Sequence, residues 1–87
     1  MPGASRKGID SAGGIISGGS TNTFIEGYGA VRLGDSVTPH DSGDHENNPV
    51  MVGCSSKVFI NGKGAVRAGD LASCGHSATG SSKVLIG

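Results

Sequence analysis

Glycine limits what this chain can fold into more than any other residue type does. It supplies 17 of the 87 residues, and the longest segment without glycine, residues 44–52, contains Pro49. Both residue types destabilise the interior of a helix, so helices of ordinary length are not expected. The segments between the glycines are short and rich in β-branched residues, as in NTFIE, SKVFIN and SKVLI. They predict short β-strands.

A repeated phrase organises these strands. Residues 20–35 and 55–70 share ten identities in sixteen positions at an offset of 35 residues. Residues 81–87 repeat the beginning of the same phrase at a further offset of 26 residues. The three copies comprise residues 19–35, 54–70 and, in part, 80–87. Such repetition predicts a mostly β domain with pseudo-threefold repeats.

Each complete copy contains a signal for a tight turn after its strand. The first copy has Glu26-Gly27 and the second has Asn61-Gly62. Asn-Gly is typical of the type I′ turn, because both central residues of that turn need a positive φ. Each complete copy is therefore predicted to be a β-hairpin.

An arginine, followed by an aspartate three residues later, ends each complete copy. These pairs are Arg32 with Asp35 and Arg67 with Asp70. We interpret them as structural ion pairs or turn-capping aspartates rather than as groups with a chemical role.

The loops that follow these aspartates contain all three histidines of the chain and one of its two cysteines. The candidate metal ligands are His40, His45, Cys74 and His76. Three imidazoles and a thiolate suit a tetrahedral Zn²⁺ ion. Because both loops leave the same point of the repeat, we expect them to meet at one end of the domain. Four protein ligands leave no position for water, which predicts one structural zinc ion rather than a catalytic one.

The other cysteine, Cys54, occupies the position of Gly19 and Gly80 in the remaining copies. A position that accepts only small side chains predicts a packing role for Cys54.

Composition and charge argue against several classes of protein. The chain has three aromatic residues, and its seven basic residues balance seven acidic ones, so nucleic-acid binding is not expected. No signal peptide and no apolar run near the roughly 18 residues of a membrane span are present, which predicts a cytoplasmic start. The apolar fraction of 34% predicts a small hydrophobic core, which needs additional stabilisation such as a bound metal ion.

These residues resemble the PAAR-repeat proteins, which sharpen the spikes of type VI secretion systems and of contractile phage tails. The resemblance covers nearly the whole chain. It rests on CSSKVFINGKGAVRAGD followed by SCGH, and more loosely on GSTNTFIEGYGAVRLGD followed by TPHDSGDH. Three features differ from the family pattern: glycine replaces the name-giving proline, Ala12 stands where a ligand histidine is usual, and His40 stands where many relatives have cysteine.

The resemblance implies a small conical single domain over residues 1–87, built from short β-hairpins and stapled by zinc near its tip. Its base would sit on a trimeric β-helical spike, either a valine-glycine-repeat (VgrG-like) protein or a phage tail-spike protein, so that one chain caps three. Residues 23–25, 58–60 and 84–86 would lie near that base, with open strand edges covered by the partner.

The implied function is mechanical and non-enzymatic. The cap would help a contractile machine to pierce a target membrane, which it contacts transiently. Effector proteins are further implied partners, bound non-covalently, since no effector extension is expected within residues 1–87. The implied location is the cytoplasm until the machine expels the assembled spike.

Two other classes of protein remain open at this point. A small zinc hydrolase would use Asp41, Asp44 or Glu46 as the general base. A secreted binding module would be stapled by a disulfide between Cys54 and Cys74.

Overall fold

A computed structural model describes residues 2–40 and 49–87. Within them lie six strands of two residues each and no helix, so that part of the chain contains no helix able to span a membrane. The strands are β1 Ser11–Ala12, β2 Gly14–Ile15, β3 Phe24–Ile25, β4 Tyr28–Gly29, β5 Phe59–Ile60 and β6 Lys63–Gly64. The prediction of a small, mostly β fold made of short hairpins is confirmed.

The two complete copies form matching antiparallel hairpins. In β3–β4, Phe24 faces Gly29, and in β5–β6, Phe59 faces Gly64. The turn of the first hairpin has φ values of 54° and 86°, and that of the second has values of 53° and 79°. Both turns therefore have the two positive φ angles that their sequences predict.

The partial third copy is completed by the other end of the chain. Leu85 pairs antiparallel with Gly3, and the Ala4 N–H donates to the Val84 carbonyl at 2.8 Å. The same backbone bond, at 2.9 Å, occurs in each complete hairpin. The third unit thus takes one extended segment from residues 84–86 and the other from residues 3–4.

A ring of backbone hydrogen bonds joins the three units around a central axis. The Val31 N–H donates to the Ser5 carbonyl at 3.2 Å, Ser5 donates to Val66 at 3.0 Å, and Val66 donates back to Val31 at 3.0 Å. Because each unit donates once and accepts once, the ring closes with pseudo-threefold symmetry.

Two apolar clusters form the core of the described residues, and the larger one includes Val31 and Val66 of this ring. The smaller cluster lies among the hairpins and consists of Ala30, Ile60 and Ala65 with Ile25, Val58 and Ile86 packed against them. The larger cluster consists of Ala12, Ile16, Val31, Val37, Met51, Val66, Ala72 and Ala78, with Cys74 packed against it. We call the end formed by the three hairpin units the hairpin end, and the end at Cys74 the histidine end.

The repeated arginine and aspartate form ion pairs in both complete copies. The Arg32–Asp35 and Arg67–Asp70 pairs each have an N–O distance of 2.9 Å. Each aspartate also accepts a hydrogen bond from the backbone N–H of its own arginine. Both predicted roles, ion pair and turn cap, are therefore present together.

The third unit has an equivalent pair that the sequence analysis missed. Arg6 lies 2.7 Å from Asp10, with a spacing of four residues instead of three. Burial raises the pKa of Asp10, but hydrogen bonds from Arg6 and Thr79 outweigh it and hold that pKa below its usual value. Asp10 is therefore an ionised, buried anchor at the start of the loop that contains β1 and β2.

Candidate metal centre

Three of the predicted ligands meet at the histidine end. The ligand atoms of His40, Cys74 and His76 all lie within 4.8 Å of one another, and each residue is half-buried. His40 comes from the loop after the first hairpin, whereas Cys74 and His76 come from the loop after the second. The expectation that equivalent loops meet at one end is confirmed for these three residues.

A backbone contact sets the orientation of His40. Its Nδ1 lies 2.9 Å from the carbonyl oxygen of Thr38. A carbonyl can only accept a hydrogen bond, so Nδ1 carries the hydrogen of this contact, which makes Nε2 the candidate metal-binding nitrogen. That Nε2 atom lies 3.7 Å from the Sγ of Cys74. A histidine fixed in this way is typical of metal ligands, which usually donate their other ring N–H to a carbonyl or carboxylate.

A tight turn brings Cys74 and His76 to the same side. The Gly75 N–H donates to the Ala72 carbonyl at 2.9 Å, and the Ala72 N–H donates to the His76 carbonyl at 2.9 Å. Gly75 has a φ of 92°, which non-glycine residues rarely adopt. The turn thus needs glycine between the two ligands.

The loop that contains β1 and β2, next to the third unit, supplies none of these three candidate ligands. Its two glycines leave room for the histidine side chains. A Cβ on Gly13 would lie 2.4 Å from the Nε2 of His40 and 2.4 Å from the Cδ2 of His76. A Cβ on Gly14 would lie 2.7 Å from the Nδ1 of His40. The two glycines therefore form a cradle for the imidazoles. The sequence analysis missed this role, although the Gly-Gly pair was a visible signal for close backbone approach.

The donors fit a small, borderline-soft metal ion. Tetrahedral zinc with N and S ligands at its usual bond lengths has ligand–ligand separations of about 3.3 to 3.6 Å. The separation of 3.7 Å between Cys74 and His40 is close to that range. Imidazole nitrogens and a thiolate are the donor types that zinc accepts. His40, Cys74 and His76 could therefore hold a metal ion.

The remaining predicted residues have different outcomes. His45 lies outside the described residues, as do Asp41, Asp44 and Glu46, the acidic groups of the hydrolase alternative.

Both cysteines are free thiols in the structure, so it gives no support to a disulfide between Cys54 and Cys74. Cys54 is half-buried, and a Cβ on Gly64 would lie 2.4 Å from its Sγ. This close approach agrees with a packing role for Cys54.

Comparison with known families identifies the fold. Residues 9–79 match the model of the PAAR motif, and that range includes His40, Cys74 and His76. The chain belongs to the PAAR family. PAAR proteins as a family are structural rather than enzymatic. A comparison with curated proteins finds no match.

Proposed function

We propose that this PAAR protein is a non-enzymatic tip that caps the end of a trimeric β-helical spike in a contractile injection machine, and that helps the spike to pierce a membrane. PAAR proteins as a group are spike-tip proteins associated with valine-glycine-repeat spikes. The observation that carries the proposal for this chain is the set of three equivalent strand edges at the hairpin end.

The hydrogen-bond register leaves these edges open. In the first hairpin the Ala30 N–H donates to the Thr23 carbonyl, and the following position, Phe24, belongs to a non-hydrogen-bonded pair. The N–H and C=O of Phe24 therefore point away from β4. The same register holds at Phe59 and Leu85, so each unit offers one edge for pairing with another chain.

The side chains on these edges are apolar and exposed. Phe24, Phe59 and Leu85 retain 57%, 61% and 50% of their accessible surface. Three large apolar side chains at symmetry-equivalent positions are typical of a contact surface. A trimer with threefold symmetry presents three identical surfaces, so one such partner can cover all three edges in the same way.

We also propose that one structural zinc ion is held by His40, His45, Cys74 and His76. When bound, Zn²⁺ would take the imidazole nitrogens and the thiolate as ligands. It would therefore cross-link the two loops. The Thr38 carbonyl orients His40, and the small volume of Gly13 leaves room for His40 and His76. The support for the proposal is the donor types and the close spacing of His40, Cys74 and His76.

The capping role can be tested with a purified trimeric β-helical spike protein from a secretion system or phage tail. Light scattering of the chromatographed mixture should give one PAAR chain per trimer. Replacing Phe59→Glu puts a charge on one of the three edges and should weaken binding at least tenfold. Val52→Glu is the matched control, because Val52 is as exposed as Phe59 but lies outside the hairpin units. Equal weakening by both changes, or a ratio of three chains per trimer, would contradict the proposal.

The zinc proposal is tested by elemental analysis and by anomalous scattering at the zinc edge from a crystal. We expect one zinc ion per chain, with density connected to His40, Cys74 and His76. A protein that folds with no metal, or one whose metal lies elsewhere, would disprove it.

A further inference from the structure

The charges of the hairpin end suggest what kind of partner surface it contacts. We propose that this end recognises a trimeric protein whose own end carries acidic side chains around an apolar centre. The inference rests on the proposed function and deepens it by naming the chemistry of the partner.

Ion pairing divides the charged residues of the described chain into two groups. Every carboxylate side chain in residues 2–40 and 49–87 pairs with an arginine. These carboxylates are Asp10, Glu26, Asp35 and Asp70. No ion pair within the same residues includes a lysine, and all four lysines are exposed. The described surface therefore has lysine charges that no carboxylate within it neutralises.

Three of the four lysines lie in the hairpin units, and two of them lie next to the open strand edges. Lys57 precedes Phe59 by two residues, and Lys83 precedes Leu85 by two residues. Lys63 faces Ile60 across the second hairpin. Lys57 and Lys83 therefore place positive charge two residues from the exposed apolar side chains of the second and third units.

The first hairpin lacks this charge. Asn22 stands at the position of Lys57 and Lys83, and Tyr28 stands at the position of Lys63. Its turn residue Glu26 is already paired with Arg6 at 3.0 Å. Two of the three sectors of the hairpin end are therefore basic, and one is neutral.

A partner with threefold symmetry can bind the hairpin end despite the difference in charge between its sectors. Each sector meets the same partner surface, so a carboxylate that faces Lys57 has a copy that faces Lys83 and another that faces Asn22. Rotation by one sector leads to an equivalent complex, and the attraction does not depend on which rotation forms. Carboxylates beside exposed lysines increase the association rate and favour acidic partners over basic ones.

Lysines beside exposed Phe59 and Leu85 would also suit an anionic lipid surface, but the open edges favour protein. The N–H and C=O groups of these residues need partners in register, and a strand edge supplies them. Lipid headgroups offer no such register. The membrane is therefore an outcome to be tested and not the proposal.

The test uses a trimeric β-helical spike protein prepared in three versions, with the outward side chains of its terminal layer all glutamate, all serine or all lysine. We expect the glutamate version to bind at least tenfold more tightly than the lysine version in 50 mM NaCl. The ratio should fall in 300 mM NaCl, because salt screens exposed charges beyond a few ångströms.

Variants of this chain test whether its lysines cause the preference for the glutamate version of the spike. Changing Lys57→Ser, Lys63→Ser and Lys83→Ser together should abolish the preference for glutamate while leaving the circular dichroism spectrum unchanged. Lys7→Ser is the matched control: it removes an exposed lysine that lies on none of the hairpin strands, and it should leave most of the preference intact.

The outcomes separate this inference from the proposed function. Equal affinity for the three versions would overturn the acidic partner and leave the capping role standing. No binding to any version would overturn both. Binding to phosphatidylserine vesicles that the triple variant loses, together with no preference among the spikes, would replace the acidic protein by a membrane.

Discussion

The hairpin end and the histidine end are built from the same three repeats, yet they use the repeats in opposite ways. At the hairpin end the three units are nearly interchangeable, with Phe24, Phe59 and Leu85 in equivalent places. At the histidine end one loop supplies His40, another supplies Cys74 and His76, and the third supplies only glycine.

The difference shows how each end is held together. The hairpin end relies on backbone bonds and on three equivalent buried serines, Ser20, Ser55 and Ser81, whose hydroxyls each accept two backbone N–H bonds. Such bonds tolerate many side chains elsewhere in the hairpin. With the proposed zinc ion bound, the histidine end relies on a few donors with fixed positions, so we expect single substitutions there to cost more.

The largest expected effect separates the two cysteines. Because Cys74 is a proposed zinc ligand, Cys74→Ala should lower the free energy of unfolding in zinc-containing buffer by at least about 3 kcal/mol, given that structural zinc contributes far more in small domains. Cys54→Ala removes the other thiol and should cost about 1 kcal/mol. Thermal unfolding followed by circular dichroism, with and without a chelator, measures both. Similar losses in the free energy of unfolding for the two variants would contradict the proposal that the histidine end depends on zinc and the hairpin end does not.

A smaller effect tests the glycine cradle. Gly13 and Gly8 both have a φ of 85°, but a Cβ would meet His40 and His76 only at Gly13 and would find nothing within 4 Å at Gly8. Gly8→Ala should cost about 1 kcal/mol from backbone strain alone. Gly13→Ala should cost about 3 kcal/mol because overpacking adds to the strain. It should also weaken zinc binding, as measured by competition with a zinc-binding dye. Equal costs and an unchanged zinc affinity would show that the cradle has no such role.

A third prediction concerns the ion pair between Arg6 and the buried Asp10. Asp10→Asn should lower the free energy of unfolding at pH 7 by about 2 kcal/mol, because it weakens charge-assisted hydrogen bonds from Arg6 and Thr79. The pKa of Asp10 is lower in the folded protein than its ordinary value of about 3.9. Its contribution is therefore complete above that value and is lost as the pH falls through the folded pKa.

The measurement for Asp10 is urea unfolding of both proteins from pH 7 to pH 3. The advantage of the wild type over Asp10→Asn should stay constant near neutrality and shrink below about pH 4. An advantage that grows on acidification would contradict the assigned role.

The smallest effect compares the turns of the two complete hairpins. Glu26 and Asn61 have almost the same φ, 54° and 53°, but asparagine tolerates a positive φ better. Asn61 accepts bonds from Ser20 and Arg32 as Glu26 does from Ser81 and Arg6, so an amide at position 26 can keep both bonds. It loses the charge of the Arg6–Glu26 ion pair, and solvent-exposed pairs of this kind contribute little to stability. Glu26→Asn should therefore stabilise the protein by about 0.5 kcal/mol.

The reciprocal change supplies the control for the turn. Asn61→Glu should destabilise the protein by about the same amount, since it places glutamate in the second turn. Chemical denaturation of both variants resolves the difference. Destabilisation by both changes would mean that the two turns are not equivalent.

Much of the fold could be predicted from local sequence. The Asn-Gly and Glu-Gly turns, the Arg–Asp pairs and the short strands each depend on residues that are close in the chain. The third ion pair escaped detection for a definite reason. Arg6 and Asp10 are separated by one extra residue, and the strand of their unit lies at residues 84–86, so a linear alignment cannot bring them into register.

The candidate metal site was likewise predictable only in part. The residue types and their repeat positions predicted that His40, Cys74 and His76 would meet, and they do. The pair Gly13-Gly14 signalled a close backbone approach, but the side chains that it meets were not predictable, because these contacts join residues far apart in the chain. His45 and Cys54 remain predictions of a ligand and of a packing residue.

The sequence by itself determined the repeated hairpin, its turns and the donors that follow it, because glycine positions and short-range hydrogen bonding allow few alternatives. Only the tertiary structure decided that the two ends of the chain complete the third unit, and that Gly13 leaves room for the imidazoles of His40 and His76. Those features depend on the closure of the ring around Ser5, Val31 and Val66, where each unit needs the other two to satisfy its backbone.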